Sequence, residues 1–280
     1  MVEMTLRRLG FEFFSPLPFF VLFLLLVIYP LITSFNLILS NLDALQKVFA
    51  SELYWRALLN TFLFLVIAVP IKMILALFLS GFVNAFKKYF LVKIVSVMYL
   101  LPWSIPAISS ALSFRWMLNY DYGIINMFLT DIGLPKVGWL LDYQTALFSI
   151  VVFHVWKWTP LWTLMLLAAR QAIPDELYEA AKVDGANISQ SFVHITWPML
   201  KQVFLTCMTL TSVWSIGEFE AIWLITLTGP NQSTNTITTL GFREVFIYGN
   251  LINGLAIYFS ILPVVLVLVI FLLLLFRRRG

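Results

Sequence analysis

His154, Lys157 and Glu218 are ionisable residues inside long apolar runs, where a charge is expensive and by default marks a functional place. His154, Lys157 and Leu161 recur at i, i+3 and i+7, with Trp156 and Trp158 beside them, and Thr211, Ser215 and Glu218 recur at i, i+4 and i+7. On helices, each set shares one face. If the two faces meet, they line a small polar cavity with a base, an acid, hydroxyls and indole rings. Sugars suit such a cavity, because hydroxyls pair with polar side chains while the apolar face of the ring packs on Trp. The same residues have quieter readings. Lys157 and Glu218 neutralise one another between helices, His154 is a satisfied interhelical donor, Trp156 faces lipid, and Lys72 snorkels or pairs. Catalysis finds no support: His154 has no Ser or Cys nucleophile dyad, there is no HExxH, and no Cys/His spacing resembles a metal site.

The elements that must position these residues are membrane helices. Of the 280 residues 61% are hydrophobic and 11% charged, with 26 Phe and 10 Trp, and the mean hydropathy is +0.93; a chain this small cannot bury that much apolar surface in water. The expected fold is all-α, a single transmembrane domain over 1–280 with six spans near 17–39, 58–81, 90–114, 146–169, 201–227 and 255–276. Arg7 and Arg8 precede the first run, which is too long for a secretory signal and lacks a cleavage site, so it is a retained helix. With the N-terminus inside, Arg7, Arg8, Lys87, Lys88, Lys93, Arg170, Lys182, Lys201, Arg277, Arg278 and Arg279 fall on inner segments, against Lys47, Arg56, Arg115, Lys136 and Arg243 outside. The bias places both termini in the cytoplasm. The net charge of +4 is accounted for by these loops and calls for no nucleic-acid partner. The outer Trp116, Trp139 and Tyr143 read as interfacial aromatics.

This orientation makes 170–200 the largest cytoplasmic loop, and within it EAAKVDGANISQSFVHITWP (179–198) holds three charged side chains, Glu179, Lys182 and Asp184. Pro174, Asp175 and Glu176 start a helix that runs through Glu179, Ala180, Ala181 and Lys182 to Asp184, and Gly185 supplies the left-handed stop. A second short helix carries Phe192 and Ile195 until Pro198 returns the chain to the membrane. Small residues at Ala180, Ala181, Gly185 and Ala186 let a partner approach the backbone, with Glu179 and Asp184 as anionic handles. Physics alone leaves two readings open, a docking knob or an amphipathic helix on the inner leaflet with Lys182 and Lys201 toward anionic head groups.

Glu179-Ala180-Ala181, Asp184-Gly185-Ala186, Phe192, Ile195 and Pro198 resemble the EAA loop of binding-protein-dependent ABC importers, with Trp197 where the family commonly has Leu. Leu227-Thr228-Gly229-Pro230 resembles the LTGGGP turn of sugar permeases, one or two glycines short, and Leu101-Pro102-Trp103-Ser104-Ile105-Pro106-Ala107 resembles their LPxxIP segment. The resemblance runs from about residue 90 to the C-terminus and is nearest the maltose-type (MalF-type) carbohydrate permeases. It implies the six-span type I importer fold, with Glu179, Ala180, Ala181, Asp184, Gly185 and Ala186 seating in a cleft of a cytoplasmic ATPase. It also places Trp103, Ala107, His154, Lys157, Trp158, Leu161, Thr211, Ser215 and Glu218 at sugar-contacting positions, where His, Lys and Glu replace commoner neutral residues.

What the resemblance implies is a transport subunit of a prokaryotic plasma membrane. It is half of a translocation pathway beside a second homologous permease, with two ATPase subunits and an external solute-binding protein that meets 118–143 and 229–254. The chain has no GxxxxGK[ST] loop, so ATP and Mg belong to the ATPase partners and this subunit needs no cofactor. A neutral di- or oligosaccharide is the expected solute. A phosphorylated polyol such as glycerol 3-phosphate is the alternative, since Lys157 and His154 could meet a phosphate, although Glu218 opposes an anion. From another class, an ion-coupled secondary transporter would use Lys157, Glu218 and His154 but leaves the EAA loop unexplained.

Overall fold

In the computed structural model, residues 16–86 and 89–277 are described. The expected inner cations Arg7, Arg8, Lys87, Lys88, Arg278 and Arg279 lie outside them. The chain forms two compact units, one of the residues up to Ser51 with Gly241–Ser260, the other of Glu52–Leu240 with the residues from Ile261 on.

In the first unit, α1 (Leu17–Leu39) is an apolar helix with a π turn at Leu24–Ile28. It is followed by α2 (Leu42–Ala50). None of the most apolar stretch of α1 is buried, as suits a helix immersed in lipid rather than one in a protein core. Phe35 packs against Phe259, their ring centroids 5.9 Å apart.

In the second unit, α3 (Glu52–Ala85) and α8 (Tyr143–Gln171) pack along their lengths, and α11 (Trp197–Ile216) packs against both. Between α3 and α8 come α4 (Phe90–Tyr99), α5 (Leu101–Ser104), α6 (Ala107–Met117) and α7 (Ile124–Asp131). One core cluster gathers Phe64, Ala68, Ala111, Ile150, Phe153 and Ile222, and another Leu65, Met73, Trp162, Leu166, Leu200 and Cys207. The segment after α7 is held by buried Asn126, which accepts from Val137 N–H and Trp139 Nε1 and donates to the carbonyls of Tyr120 and Val137. Asn60 does the same for the loop before α12 (Ile237–Phe242), donating to Ser233 O (2.6 Å) and Asn235 O (2.8 Å) while accepting from Tyr143 Oη (2.9 Å). Tyr143 and Trp139 are thus tied into the protein by their polar tips. In that loop Gly229 has φ +72°, and a Cβ there would sit 2.5 Å from Thr234 Oγ1, so the LTGP turn requires glycine.

Among the described residues, four helices are long and apolar enough to cross a membrane: Leu17–Leu39, Glu52–Ala85, Tyr143–Gln171 and Leu251–Ile270, the last within α13 (Leu251–Arg277). Two expected spans differ from continuous helices. The run at 90–114 is broken at Ile105-Pro106, where Ile94–Ser104 and Ala107–Met117 meet at 94°; Pro106 has no N–H to continue the ladder and disfavours helix at Ile105. The run at 201–227 is helical only to Ile216. Gly217 caps it and a π segment follows at Ala221–Thr226.

The loop 170–200 holds α9 (Asp175–Val183) and α10 (Ile188–Ser191). From Ile188 the backbone stays helical through a π turn at Phe192–Thr196 and on through α11 to Ile216. Pro198 therefore lies inside a continuous helix rather than at a break. In α geometry its ring would meet the carbonyl of His194, and the wider turn just before it makes the room.

Candidate functional site

Three helices and the turn after α11 bring four polar side chains together. The Lys72 ammonium (α3) lies 2.8 Å from His154 Nε2 (α8) and 3.3 Å from Ser215 Oγ (α11), and Ser215 Oγ is 3.1 Å from the same Nε2. With Lys72 as an ammonium, which can only donate, Nε2 carries the lone pair and Nδ1–H donates to Glu218 Oε2, 2.7 Å away. Glu218 Oε1 accepts from Ala221 N–H at 3.0 Å, and Phe64 stands edge-on to the imidazole, 4.9 Å between centroids. The result is a cation, a neutral relay and an anion in a row. Lys72, His154 and Ser215 are 1%, 3% and 2% exposed.

This geometry corrects two expectations. Glu218 is balanced by Lys72 through His154, not by Lys157. Lys72 does not snorkel, because its buried stem leads to partners on two other helices. Lys157 instead points at the break in the third span, donating to Pro102 O (2.8 Å), Trp103 O (3.5 Å) and Ile105 O.

The aromatic half of the expected cavity is present with an addition. Trp158 lies 6.4 Å from His154 and 6.3 Å from Trp214, which lies 5.5 Å from buried Trp162, centroid to centroid. Trp214 is 54% exposed and Trp103 42%. Trp214, missed from the sequence, is three residues after Thr211, about one helical turn on, and was recoverable from that spacing. Thr211 is buried, and neither its hydroxyl nor Trp162 Nε1 has a partner among the described residues. Leu161 and Ala107 are half-buried, and Trp156 keeps an open face while packing on Phe114.

The first helix of the loop 170–200 and its stop are built as the sequence implied. Pro174 precedes α9, Asp175 and Glu176 lie in its first turn, and Gly185 has φ +80°. The stop is a Schellman arrangement, in which Ala186 N–H reaches Ala181 O at 2.9 Å. Asn187 and Gln190 then form a reciprocal capping box that starts α10. Tyr178 Oη meets Thr196 Oγ1 at 2.9 Å, bracing α9 against the π turn. Ala181, Asp184, Gly185, Ala186, Gln190 and Ile195 line a shallow cleft, while Glu179 and Ala180 are exposed. The loop tip bares Val183 (88% exposed) and Ile188 (92%), two apolar residues the sequence reading did not single out.

Comparison with known proteins agrees with this architecture. The family described as binding-protein-dependent transport system inner membrane component matches residues 48–279. The chain is 37% identical to the trehalose/maltose transport system permease protein MalF of Thermococcus litoralis over 223 residues, 79% of this chain and 74% of the relative. It is 29% identical to the arabinooligosaccharides transport system permease protein AraP of Bacillus subtilis, covering 89% of this chain and 83% of that one. Among solved structures, a chain of a bacterial ABC transporter involved in the import of the acidic polysaccharide alginate superposes with a TM-score of 0.88 at 23% identity, over 99% of this chain and 98% of that one. These relatives are transport subunits rather than enzymes. A match over most of its length, on a helical frame with several apolar spans, makes this chain a member of the inner membrane component family of binding-protein-dependent transport systems.

Proposed function

We propose that this chain is one permease subunit of an ATP-driven sugar importer. The observation that carries the coupling half is the cytoplasmic loop: a rigid, doubly capped helix pair presents Val183 and Ile188 bare beside Glu179 and the Ala181–Ala186 cleft. Such a tip suits burial in a protein partner, here an ATPase that holds ATP and Mg. The subunit would use six spans with both termini cytoplasmic, α11 and the bent third run serving as two of them. A second permease would complete the pathway, and an external binding protein would deliver solute. The structure of the similar alginate importer was also solved with a periplasmic protein carrying an alginate pentasaccharide.

For the solute, Trp103, Trp158 and Trp214, with Ala107 and Leu161, offer an apolar wall, with the buried Thr211 behind it. His154, Ser215 and Glu218 are engaged with Lys72 and stand behind it, fixing its shape. The phosphorylated-polyol alternative is not favoured, because Lys157 is occupied by three carbonyls and no other free cation lines the wall among the described residues. Substrate-stimulated ATPase activity of the complete complex in liposomes tests this, with trehalose, maltose, arabino-oligosaccharides and glycerol 3-phosphate as probes. Stimulation by a sugar is the expected result; stimulation by glycerol 3-phosphate alone would overturn the solute class, and uptake without ATP would overturn the importer. For the stimulating sugar, Trp214→Ala should raise the half-saturating concentration about tenfold, the scale of one lost ring contact.

A further inference from the structure

We propose that Lys157 is a positioning residue: its ammonium caps the carbonyl end of the broken third span and thereby fixes Trp103, rather than touching the solute. This rests on the sugar-importer reading only for what Trp103 does.

A helix ending inside a membrane exposes carbonyls that water cannot reach. In α5 the problem is acute. Ile105 N–H still bonds Leu101 O at 3.0 Å, but the next donor would be Pro106, which has none, so Pro102 O loses its i+4 partner. Beyond it the chain turns by 94° into α6, which carries the later N–H groups away from Trp103 O. Lys157 answers this from α8. Its three N–H donors meet three carbonyls, those of Pro102, Trp103 and Ile105. The ammonium also sits where a helix C-terminus favours a cation. Lys157 is 3% exposed, and among the described residues it forms no ion pair, although the Glu220 carboxylate is near enough to act on it electrostatically. With every donor committed and the side chain buried, little of it is left for a ligand. What remains accessible is its effect, because Trp103 lies between two of the carbonyls it holds and is 42% exposed.

The test uses the full complex with wild type, Lys157→Met and Lys157→Arg. Amide hydrogen exchange at Trp103, Ser104, Ile105 and Ser110, all hydrogen-bonded N–H groups, reads the break without reference to any solute. K157M should speed exchange there at least about tenfold, with α9 unchanged, while K157R, which keeps charge and donors, stays within about threefold of wild type. In the second readout, the half-saturating maltose concentration for ATPase stimulation should rise about tenfold in K157M and be largely restored in K157R. Wild-type exchange rates in K157M overturn the proposal whatever the solute does. A complex unresponsive to sugars with the exchange effect intact instead removes the sugar reading and leaves the cap standing. If K157M does not assemble, Lys157→Gln, which retains two donors, takes its place with an intermediate exchange rate expected; a rate equal to wild type again overturns the cap.

Discussion

Replacing Lys72 with Met should destabilise the folded subunit by about 3–5 kcal/mol, the range for removing one partner of a buried ion pair. The cause is the charge left behind. Glu218, its side chain 9% exposed, would keep a carboxylate whose remaining partners are neutral, the His154 Nδ1–H and the Ala221 N–H. Among the described residues no Lys or Arg forms a direct ion pair with Glu218. Glu218→Gln should fail for the mirror-image reason, stranding an ammonium against an imidazole. The double variant K72M/E218Q removes both charges and should recover most of the loss, because His154 and Ser215 can still bond each other. Denaturation of the detergent-solubilised complex, followed by the fraction still monodisperse, measures all three. A double variant no more stable than either single one would mean that the row is not a charge-balanced unit.

Changing Val183 and Ile188 to Asp should leave the protein in the membrane and disconnect it from its ATPases. Both residues lie at the loop tip with almost no contact to their own chain, so the change costs the fold little. Truncating a central apolar anchor in a protein interface costs about 2 kcal/mol or more, and burying an unpaired carboxylate adds to that. Binding of the ATPase subunits to permease-containing membranes should fall accordingly, and ATP-driven uptake with it. Gly185→Val should act more weakly through geometry, since a β-branched residue at φ +80° strains the Schellman turn. Glu179→Gln, at an exposed site, should be milder still. Undiminished ATPase binding by V183D/I188D would return the loop to the alternative reading, a helix resting on the inner leaflet.

The loop was legible in the sequence because its signals are local. Pro174, the paired acids and Gly185 each act within a turn or two, and the structure follows them; Pro198 does not end the second helix, because the π turn before it makes room for its ring. The polar cluster was half legible. Periodicity placed His154 with Lys157, and Ser215 with Glu218, on common faces. It could not say which third helix they meet, and Lys72 is 82 residues from His154 in the chain. Lys157 was assigned to the cavity for the same reason, since its carbonyl partners are backbone atoms that no side-chain pattern advertises. The two broken runs were hidden by apolarity itself. A stretch can be greasy enough to cross a bilayer while Pro106 or Gly217 interrupts its ladder, and hydropathy does not register a missing N–H.

The helix that begins at Ile188 and ends at Ile216 is one rod about 40 Å long, at about 1.5 Å per residue, with the bare tip at one end and Ser215 at the other. A rod has a phase as well as a length. The π turn at Phe192–Thr196 holds one residue more than an α turn would, and one residue is worth about 100° of rotation. Every side chain beyond it is set by that offset: with a regular helix there, Ser215 would be turned by about 100° from the direction in which it meets His154. The wide turn therefore sets the azimuth of Ser215 relative to the bare loop tip along a single helix.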